Sequence, residues 1–569
     1  MQWAEWVLRR LLRLVCLALL LLLVSAPRVE AVSPGVSGPL PAVPAGDPSR
    51  NYPFDASLVP VSEYGYTEKE YFFSGDTSDG AYTSRMLVRR PADGARFSGT
   101  TIVEWANTSP GFDLDPLWAH SAAAIMRSGD AFVLVSAQPA GLYTPKTGLQ
   151  AWNPGRYAPL SMPQGDSSVE ARSSSQIFAQ ALEAIRSTAG DAPLGGLAAG
   201  HVIATGGSRS AVMIAMYAGE HGSLDGGVDG YLIWDLSTGT PGMGADTPAD
   251  AATIPSPTTA GGPPVLWINT ETDAARTRVT PDGPEYRLWE LAGATHVDLH
   301  LWDYFAAMQG RDFGVAPQMP NCAYRPFSRI PTRYALDAAI AALTTWINTH
   351  RPPPSQPSLQ YDDQGNLVRD GYGNALGGVR LPDAAVPTAA SGPDNSGDAR
   401  CAGHSIPFSA DVLRSLYPTH ADYVNKVTRA ATAAVDAGVM LPYDAQEAIN
   451  AADAADVPPR APSPPSPPDG PMPDGPMRDA PAPPARSASC AARRAVAIRI
   501  PATLRGRRVL RARISTTGRR AVSARGGQRV RLVLRKGRTT TVSVRIAMRL
   551  RGGERVVQVR TYRMCRRPS

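Results

Sequence analysis

Residues 201–211 of this chain, HVIATGGSRSA, are the stretch on which the interpretation of the fold rests. The four residues after His201 are apolar or β-branched, as in a buried strand, and Ala211–Ala218 has the pattern of a helix. Ser208 lies between them among small residues, and a serine on such a strand-to-helix turn exposes its Oγ above the sheet edge. Ser210 replaces the second glycine of the usual G-x-S-x-G pattern. The alternative interpretation of Ser208 is a helix N-cap.

The segments on either side of this turn alternate between strand and helix patterns. Strands are predicted at Tyr66–Gly75, Tyr82–Ala92, Thr100–Ala106, Ala131–Gln138, His201–Thr205, Gly230–Trp234 and Pro264–Asn269, and further helices at Pro116–Arg127, Ser173–Thr188 and Thr332–His350. Strands in hairpin order, followed by strands that alternate with helices, indicate a mostly parallel sheet covered by helices. The predicted fold class is therefore α/β.

Two later segments supply the partners that a serine nucleophile needs. Glu271 and Asp273 follow the predicted strand that ends at residue 269, and His296 ends the next strand-like run. A serine hydroxyl becomes nucleophilic when a histidine removes its proton, and a carboxylate fixes the tautomer of that histidine. We predict Ser208, Asp273 and His296 as the catalytic residues, because Asp273 lies in the turn beyond its strand, with Glu271 as the reserve acid.

An oxyanion that forms during acyl transfer requires N–H donors that are already in position. The backbone N–H of Arg209, the residue after the nucleophile, is the first predicted donor. The second is expected from the loop 107–111, which follows the predicted strand at 100–106. Within this loop Ser109 is the first choice and Thr108 the second.

Other polar clusters favour structural roles. His296 and His300 are close enough in sequence to suggest a metal site, but no second histidine cluster accompanies them, and metal ligands usually converge from several segments. The oxygen-rich segment 360–374 lacks the spacing of a calcium-binding EF-hand loop, which favours a plain β-turn. We therefore expect neither a metal nor a cofactor.

The 569-residue chain is divided by charge. Residues 490–569 hold 24 Lys and Arg against the single acid Glu554, a net charge of +23, whereas the rest of the chain has a net charge of −16. Residues 458–489 contain 13 prolines and no periodic apolar pattern, which predicts an extended spacer. The alternating segments that follow predict a small β domain with an arginine-covered outer face.

The N-terminus has the pattern of a secretory signal peptide. Arg9, Arg10 and Arg13 precede the apolar run Leu14–Val24, and a small-x-small sequence ends at Ala31. An uncleaved anchor is the alternative, but the apolar run is shorter than the ~20 residues that span a bilayer. No later stretch is long and apolar enough for a transmembrane helix. We predict export, with residues 1–31 removed.

Four cysteines remain after that removal: Cys322, Cys401, Cys490 and Cys565. Four cysteines allow three pairings, and free buried thiols are the alternative. The proline-rich spacer between the second and third cysteine favours one bridge on each side of it. We therefore predict the disulfides Cys322–Cys401 and Cys490–Cys565, as expected for an exported chain.

Six blocks of the sequence together resemble a family of secreted bacterial α/β hydrolase domain proteins. They are VEWANTSPGFD (103–113), AWNPGRY (151–157), TGGSRSA (205–211), TETD (270–273), YRLWELAGATHVD (286–298) and GNALGGVRLP (373–382). The resemblance covers about residues 50–455 and implies an α/β-hydrolase fold with Ser208, Asp273 and His296 at the matching positions. It implies a serine hydrolase acting on ester or amide bonds. Arg209 stands where many members have glutamine, and this difference concerns substrate contacts rather than the triad.

The sequence thus predicts a secreted serine hydrolase, a carboxylic ester hydrolase that works through an acyl-enzyme on a small or polymeric substrate. An amidase, an acyltransferase and a non-catalytic envelope-binding protein are the alternatives. The predicted domains are a catalytic core at 50–350, an extension packed on it at 351–457, the spacer and the basic domain. Anionic envelope polymers or lipid headgroups are the expected partners of the basic domain, and a merely solvated arginine face is the alternative. Nucleic acid is not favoured, because no recognition motif is present.

Overall fold

The computed structural model describes residues 33–459 and 493–563, apart from 190, 222–226, 237–260, 275–281, 399, 501–502, 505–506, 517–521, 536–540 and 552–554. The chain divides into two compact units, Met1–Pro462 and Ser463–Ser569. The predicted signal peptide, most of the spacer and the predicted Cys490–Cys565 disulfide lie outside the described residues. Within the described ranges, no helix combines the length and the apolar character that crossing a membrane requires.

A nine-stranded sheet organises the first unit. Its strands are β1 (Gly35–Ser37), β2 (Tyr66–Thr77), β3 (Gly80–Pro91), β4 (Thr100–Trp105), β5 (Ala131–Val135), β6 (His201–Gly207), β7 (Gly230–Trp234), β8 (Val265–Thr270) and β9 (Tyr286–Leu291). The spatial order is β1-β2-β3-β5-β4-β6-β7-β8-β9. Pairing is antiparallel from β1 to β5 in this order and parallel from β5 to β9. The predicted mostly parallel sheet is confirmed.

Helices cover both faces of this sheet. They are α1 (Pro116–Ser128), α2 (Pro139–Tyr143), α3 (Leu149–Trp152), α4 (Pro154–Tyr157), α5 (Ser167–Arg186), α6 (Arg209–His221), α7 (Glu271–Ala274), α8 (Leu299–Asp312) and α9 (Thr332–Thr349), with 3-10 turns at Val61–Tyr64 and Gly94–Arg96. Alternate residues of β5 enter two different cores: Val133 packs with α5 and α6, and Phe132 packs with α1 and α9. Strands buried on both faces need continuous apolar runs, which is why these segments were recognisable in the sequence.

Some elements differ from the prediction. Strand β5 ends at Val135, three residues before its predicted end, and helix α8 was not predicted. Helix α5 begins at Ser167, six residues before the predicted start, because the Asp166 side chain accepts the N–H groups of Ser168 and Val169. The first turns of α5 are polar and partly exposed, so they lack the apolar periodicity on which the prediction depended. Strand β1 lies before residue 50, the predicted start of the core, and pairs with β2 at Phe72–Ser74.

The segment 351–457 packs against the core that contains α1 and α9. Its elements are α10 (Pro382–Ala385), β10 (Ala389–Gly392), β11 (His404–Pro407), α11 (Ala410–Leu416), α12 (His420–Asp436) and α13 (Pro442–Ala454). The apolar faces of α12 and α13 bury Ala431 and Ala448 there. The predicted Cys322–Cys401 disulfide is present and ties this segment to the loop after α8.

The second unit is a small antiparallel β structure. Its strands are β12 (Arg493–Arg499), β13 (Thr503–Leu504), β14 (Arg507–Thr516), β15 (Val522–Ala524), β16 (Arg529–Arg535), β17 (Thr541–Leu550) and β18 (Arg555–Arg563). Strands β12 and β16 pair with each other, and β13, β14, β17 and β18 form a second sheet to which β15 is added at β14. Apolar residues such as Ile514, Ile546 and Met548 form a core of its own.

Candidate active site

Ser208 lies in the turn between β6 and α6, at the carboxyl end of a central strand. Its φ of 60° is in the left-handed region, which a serine adopts only when its surroundings hold it there. A Cβ on Gly207 would lie 2.3 Å from the Trp234 ring, and one on Gly206 would lie 2.5 Å from the Ser210 carbonyl oxygen. Both glycines are therefore required by the close approach of neighbouring atoms, and the turn has the geometry of a nucleophile elbow.

Ser210, at the position of the usual second glycine, is accommodated by hydrogen bonds inside the elbow. Its buried hydroxyl donates to the Gly207 carbonyl oxygen at 2.8 Å and accepts the Gly207 N–H at 3.1 Å. A buried hydroxyl with both roles satisfied costs little to bury. The departure from G-x-S-x-G thus leaves the turn intact and adds a cross-link within it.

The structure brings the three predicted catalytic residues together. His296, in the loop after β9, has its Nε2 2.7 Å from the Ser208 Oγ. Its Nδ1 is 2.9 Å from Oδ2 of Asp273, which lies in α7 directly after β8. Thr272 holds the loop by accepting the His296 backbone N–H at 3.2 Å, and the Thr270 hydroxyl donates to the same Asp273 oxygen at 3.1 Å. This arrangement can transfer a proton from the serine hydroxyl to an oriented imidazole.

Glu271, the reserve acid, is bonded elsewhere. One of its carboxylate oxygens accepts the Gly293 N–H, and the other forms a 2.9 Å ion pair with Arg369. Burial raises the pKa of Glu271, and the nearby Arg369 charge opposes that rise. Glu271 therefore links α7 to the loop after β9 and to the hairpin that contains Arg369. These links brace the segments on which Asp273 and His296 lie.

The first-choice oxyanion donor is engaged within its own loop. The Ser109 N–H donates to Oδ1 of Asn107 at 2.9 Å, so this group is not available to an oxyanion. The Asn107 and Gly111 N–H groups donate to the carbonyls of Leu114 and Thr108, respectively. Within the part of the chain that the structure describes, the Thr108 N–H has no acceptor. The candidate donor is therefore Thr108, the second choice, together with Arg209 at the start of α6.

Asn107 connects the oxyanion loop to the elbow. Its Nδ2 donates to the Gly207 carbonyl oxygen at 2.9 Å, while its Oδ1 holds the Ser109 N–H. The side chain is 4% exposed. This role of Asn107 was not predicted from the sequence, in which the residue belonged only to the expected oxyanion loop.

Asp235 is a further acid at the site, and it was not predicted from the sequence. It follows β7, its side chain is 1% exposed, and its φ of 47° is in the left-handed region. A carboxylate oxygen of Asp235, a carboxylate oxygen of Asp273 and a ring nitrogen of His296 lie within 4.8 Å of one another. Asp235 could have been predicted as a site residue because it follows a buried strand directly, which is the criterion by which Asp273 was chosen.

These three residues also form, among the described residues, the one group of His, Cys, Asp or Glu side chains with spacing suited to a metal ion. In this arrangement the His296 Nδ1 is already hydrogen-bonded to Asp273. His300, the other histidine of the local pair, lies in α8 and its Nε2 donates to the Ala119 carbonyl oxygen at 3.1 Å. The HVDLH segment therefore does not bring its two histidines to one site.

Comparison with known proteins places the chain in a family. Residues 36–450 match the family described as alpha/beta hydrolase domain. No curated protein matches the chain.

Solved structures with similarity include a lipase/esterase from Lactobacillus plantarum, with 13% identity, 36% of this chain and 80% of that chain covered, and a TM-score of 0.25. A thermostable esterase from Pseudomonas putida has 16% identity and a TM-score of 0.24, and the match covers 37% of this chain and 66% of the esterase. An α/β serine hydrolase without lid from Xanthomonas campestris has 13% identity and a TM-score of 0.25, and the match covers 44% of this chain and 96% of that hydrolase. With the family match over most of its length, the chain belongs to the α/β hydrolase domain family and is a hydrolase.

Proposed function

We propose that this hydrolase cleaves carboxylic esters through an acyl-enzyme formed on Ser208. The observation that carries the proposal is the continuous pair of hydrogen bonds from Ser208 through His296 to Asp273, of 2.7 and 2.9 Å. The three side chains follow β6, β8 and β9, whose carboxyl ends meet at one edge of the sheet. Such convergence is what nucleophilic catalysis by a serine requires.

In the first half of the reaction, Ser208 Oγ attacks the acyl carbon while His296 Nε2 accepts its proton. Asp273 keeps the proton on Nδ1 and stabilises the imidazolium that forms. The carbonyl oxygen becomes an oxyanion, for which the Arg209 and Thr108 N–H groups are the proposed donors. The carbon–oxygen bond to the leaving group then breaks, and the alcohol departs with the proton from His296.

In the second half, His296 Nε2 takes a proton from water as the water oxygen attacks the acyl carbon. Collapse of this intermediate breaks the bond to Ser208 Oγ, which recovers its proton from His296, and the carboxylic acid leaves. An amidase uses the same steps with an amine as the leaving group, and an acyltransferase replaces water with an alcohol. Product analysis with an added alcohol acceptor separates transfer from hydrolysis.

The Ser208→Ala substitution tests the nucleophile. We expect kcat for p-nitrophenyl acetate to fall by about 10³-fold or more, because removing the nucleophile of such a triad leaves only binding and oxyanion stabilisation. A fluorophosphonate probe should label the wild-type protein and not this variant. Ser62→Ala, at an exposed serine in the first 3-10 turn, is the matched control and should label normally.

An unchanged rate in Ser208→Ala would exclude this serine as the nucleophile. If the folded wild-type protein neither labels nor hydrolyses a panel of esters, the non-catalytic envelope-binding alternative is favoured instead.

We also propose that the protein is exported and that its basic unit binds an anionic polymer of the cell envelope. The arginines Arg508, Arg511, Arg513, Arg549 and Arg551 are exposed in this unit. Arg511 and Arg549 are directly opposite each other on β14 and β17, and like charges at such positions are destabilising on their own. A polyanion laid across these strands would relieve that repulsion, which supports a binding role over a merely solvated face.

A further inference from the structure

We propose that Asp235 and Asp273 act as one acid pair that shares a single negative charge, with Asp235 neutral beside Asp273 and able to carry the charge in its place. This inference rests on the proposed serine hydrolase function. It assigns a role in that reaction to Asp235, which forms no hydrogen bond with Ser208 among the described residues.

Thr270 fixes both carboxyl groups at once. Its backbone N–H donates to Oδ1 of Asp235 at 2.9 Å, and its hydroxyl donates to Oδ2 of Asp273 at 3.1 Å. The Asp235 backbone is itself held, because its N–H donates to the Ile268 carbonyl oxygen at 2.8 Å. The two acids therefore lie at defined positions on neighbouring strand ends, and a carboxylate oxygen of each lies within 4.8 Å of the other and of a ring nitrogen of His296.

The surroundings of Asp235 favour its neutral form. Both carboxyl groups are only 1% exposed, and two like charges at this separation repel strongly where water cannot screen them. Among the described residues, no lysine or arginine forms an ion pair with Asp235. Burial first, and then the Asp273 charge, raise the pKa of Asp235 well above its usual value, whereas His296 and the hydrogen bonds from Thr270 oppose the rise.

The second oxygen of Asp235 supports the same protonation state. Oδ2 is buried and has no hydrogen-bond partner among the described residues. An ionised carboxylate would leave this charged oxygen unsatisfied, which is costly in a buried site. A protonated Oδ2 is instead a hydrogen-bond donor. The neighbouring Asp273 carboxylate is the group that could accept its proton.

The pair would keep one negative charge next to the imidazole under different conditions. In the intact enzyme Asp273 holds the charge and bonds the His296 Nδ1. When Asp273 is replaced by a neutral residue, burial still favours protonated Asp235, but the repulsion that adds to it disappears. Asp235 can then ionise and stabilise the imidazolium from its own position.

A double-mutant cycle tests this with the full-length protein, measuring kcat and KM for p-nitrophenyl acetate. Asp235→Asn should keep kcat within about threefold of wild type, because a neutral amide replaces a neutral acid. Asp273→Asn should lower kcat by about 10²–10³-fold, less than the ~10⁴-fold known for a triad without a substitute acid. Adding Asp235→Asn to Asp273→Asn should cost at least a further tenfold, with KM little changed in all variants.

A pH profile adds a readout that a merely structural role would not move. The titratable groups that face Asp235 are Asp273 from α7 and His296 from the loop after β9. In Asp273→Asn, kcat/KM should rise with pH as Asp235 loses its proton, in addition to the limb due to His296. This additional dependence should be absent from the double variant.

The proposal is overturned if Asp235→Asn loses as much activity as Asp273→Asn, since Asp235 would then be ionised in the wild type. It is also overturned if the double variant equals Asp273→Asn, or if Asp235→Asn fails to fold, because a neutral isostere of a neutral acid should preserve the structure. These outcomes leave the serine mechanism in place as long as Ser208→Ala is inactive. Activity in Ser208→Ala would instead refute the proposed function itself.

Discussion

At the scale of single residues, Asn107 joins two parts of the site that are distant in sequence. Its amide group donates to the Gly207 carbonyl in the elbow and accepts the Ser109 N–H in the oxyanion loop. We therefore expect the relative position of the proposed nucleophile Ser208 and the proposed donor Thr108 to depend on this buried side chain. A displacement of about 1 Å between such groups can cost about 10²-fold in rate.

We predict that Asn107→Ala lowers kcat for a small ester by about 10–100-fold with little change in KM. The substitution should misplace the Thr108 N–H relative to the oxyanion of the transition state, while the binding of the substrate itself is little affected. Asn107→Asp should also lose activity, since it keeps the acceptor for Ser109 but cannot donate to Gly207. Asn450→Ala, on the exposed face of α13, is the control. Wild-type kcat in both Asn107 variants would show that the elbow and the loop hold their positions without this link.

At the scale of elements, α9 and α13 meet at a pair of buried acids. The Asp444 charge on α13 raises the pKa of Asp337 on α9, whereas a hydrogen bond with Asp337 lowers the pKa of Asp444. Arg127 of α1 is 3.8 Å from Asp444. Burial, with the Asp444 charge, raises the pKa of Asp337 to about 8, and burial raises that of Asp444 to about 6. We therefore predict that the contact between the extension and the catalytic core depends on pH.

The sign of this dependence follows from the direction of the shift. A carboxyl group whose pKa is raised in the folded state binds more protons there than in the unfolded chain, where an aspartate titrates near 3.9. Stability is therefore lost as pH rises from about 4 to about 8. Asp337→Asn should be close to wild type in thermal stability at pH 5 and exceed it by roughly 2 °C or more in Tm at pH 8.5.

The control for this measurement is Asp453→Asn, an exposed aspartate on the same helix α13. Its Tm should differ from wild type by the same small amount at both pH values. If the Asp337→Asn difference is equal at pH 5 and pH 8.5, the buried pair does not couple stability to pH.

At the scale of the whole molecule, the chain consists of two compact units with opposite charge. Ser208, Asp273, His296 and Asp235 all belong to the first unit. The second has its own apolar core and an exposed arginine cluster on β14 and β17. Chemistry and the proposed attachment are therefore assigned to different parts of the chain.

We predict that deleting residues 458–569 leaves the hydrolysis of a small soluble ester within about twofold of wild type, since no proposed catalytic group is removed. The same deletion should release the protein from cell-envelope preparations at low salt. Binding of the intact protein should weaken between about 0.05 and 0.5 M salt, because exposed charges are screened beyond a Debye length of ~10 Å at 0.1 M.

A full-length variant with Arg508, Arg511, Arg549 and Arg551 replaced by glutamine should behave like the deletion. If the intact, deleted and substituted proteins associate equally with cell-envelope preparations, the arginines have no binding role and are only solvated surface residues. Binding to anionic vesicles but not to envelope polymers would identify lipid headgroups as the partner instead.

Much of the fold was determined by the sequence alone, because buried strands and amphipathic helices carry their environment in their own periodicity. The ends of β2, β3, β4, β7 and β8 fall within two residues of the predicted ends for this reason. The polar start of α5 and the three-residue β1 escaped recognition because they contain too few buried apolar residues to show a period. Helices α8, α12 and α13 were also not predicted, although α8 buries Leu301, Tyr304 and Met308.

The residues brought to the site were also selected by sequence, since Ser208, Asp273 and His296 each follow a strand in the chain order of serine, acid and histidine. The partners of the surrounding polar groups were decided only by the tertiary structure. Ser109 bonds to Asn107, Glu271 to Arg369, and Asp235 lies beside Asp273. A buried hydrogen bond is short and directional, so its partner depends on which loops converge in space and not on their order along the chain.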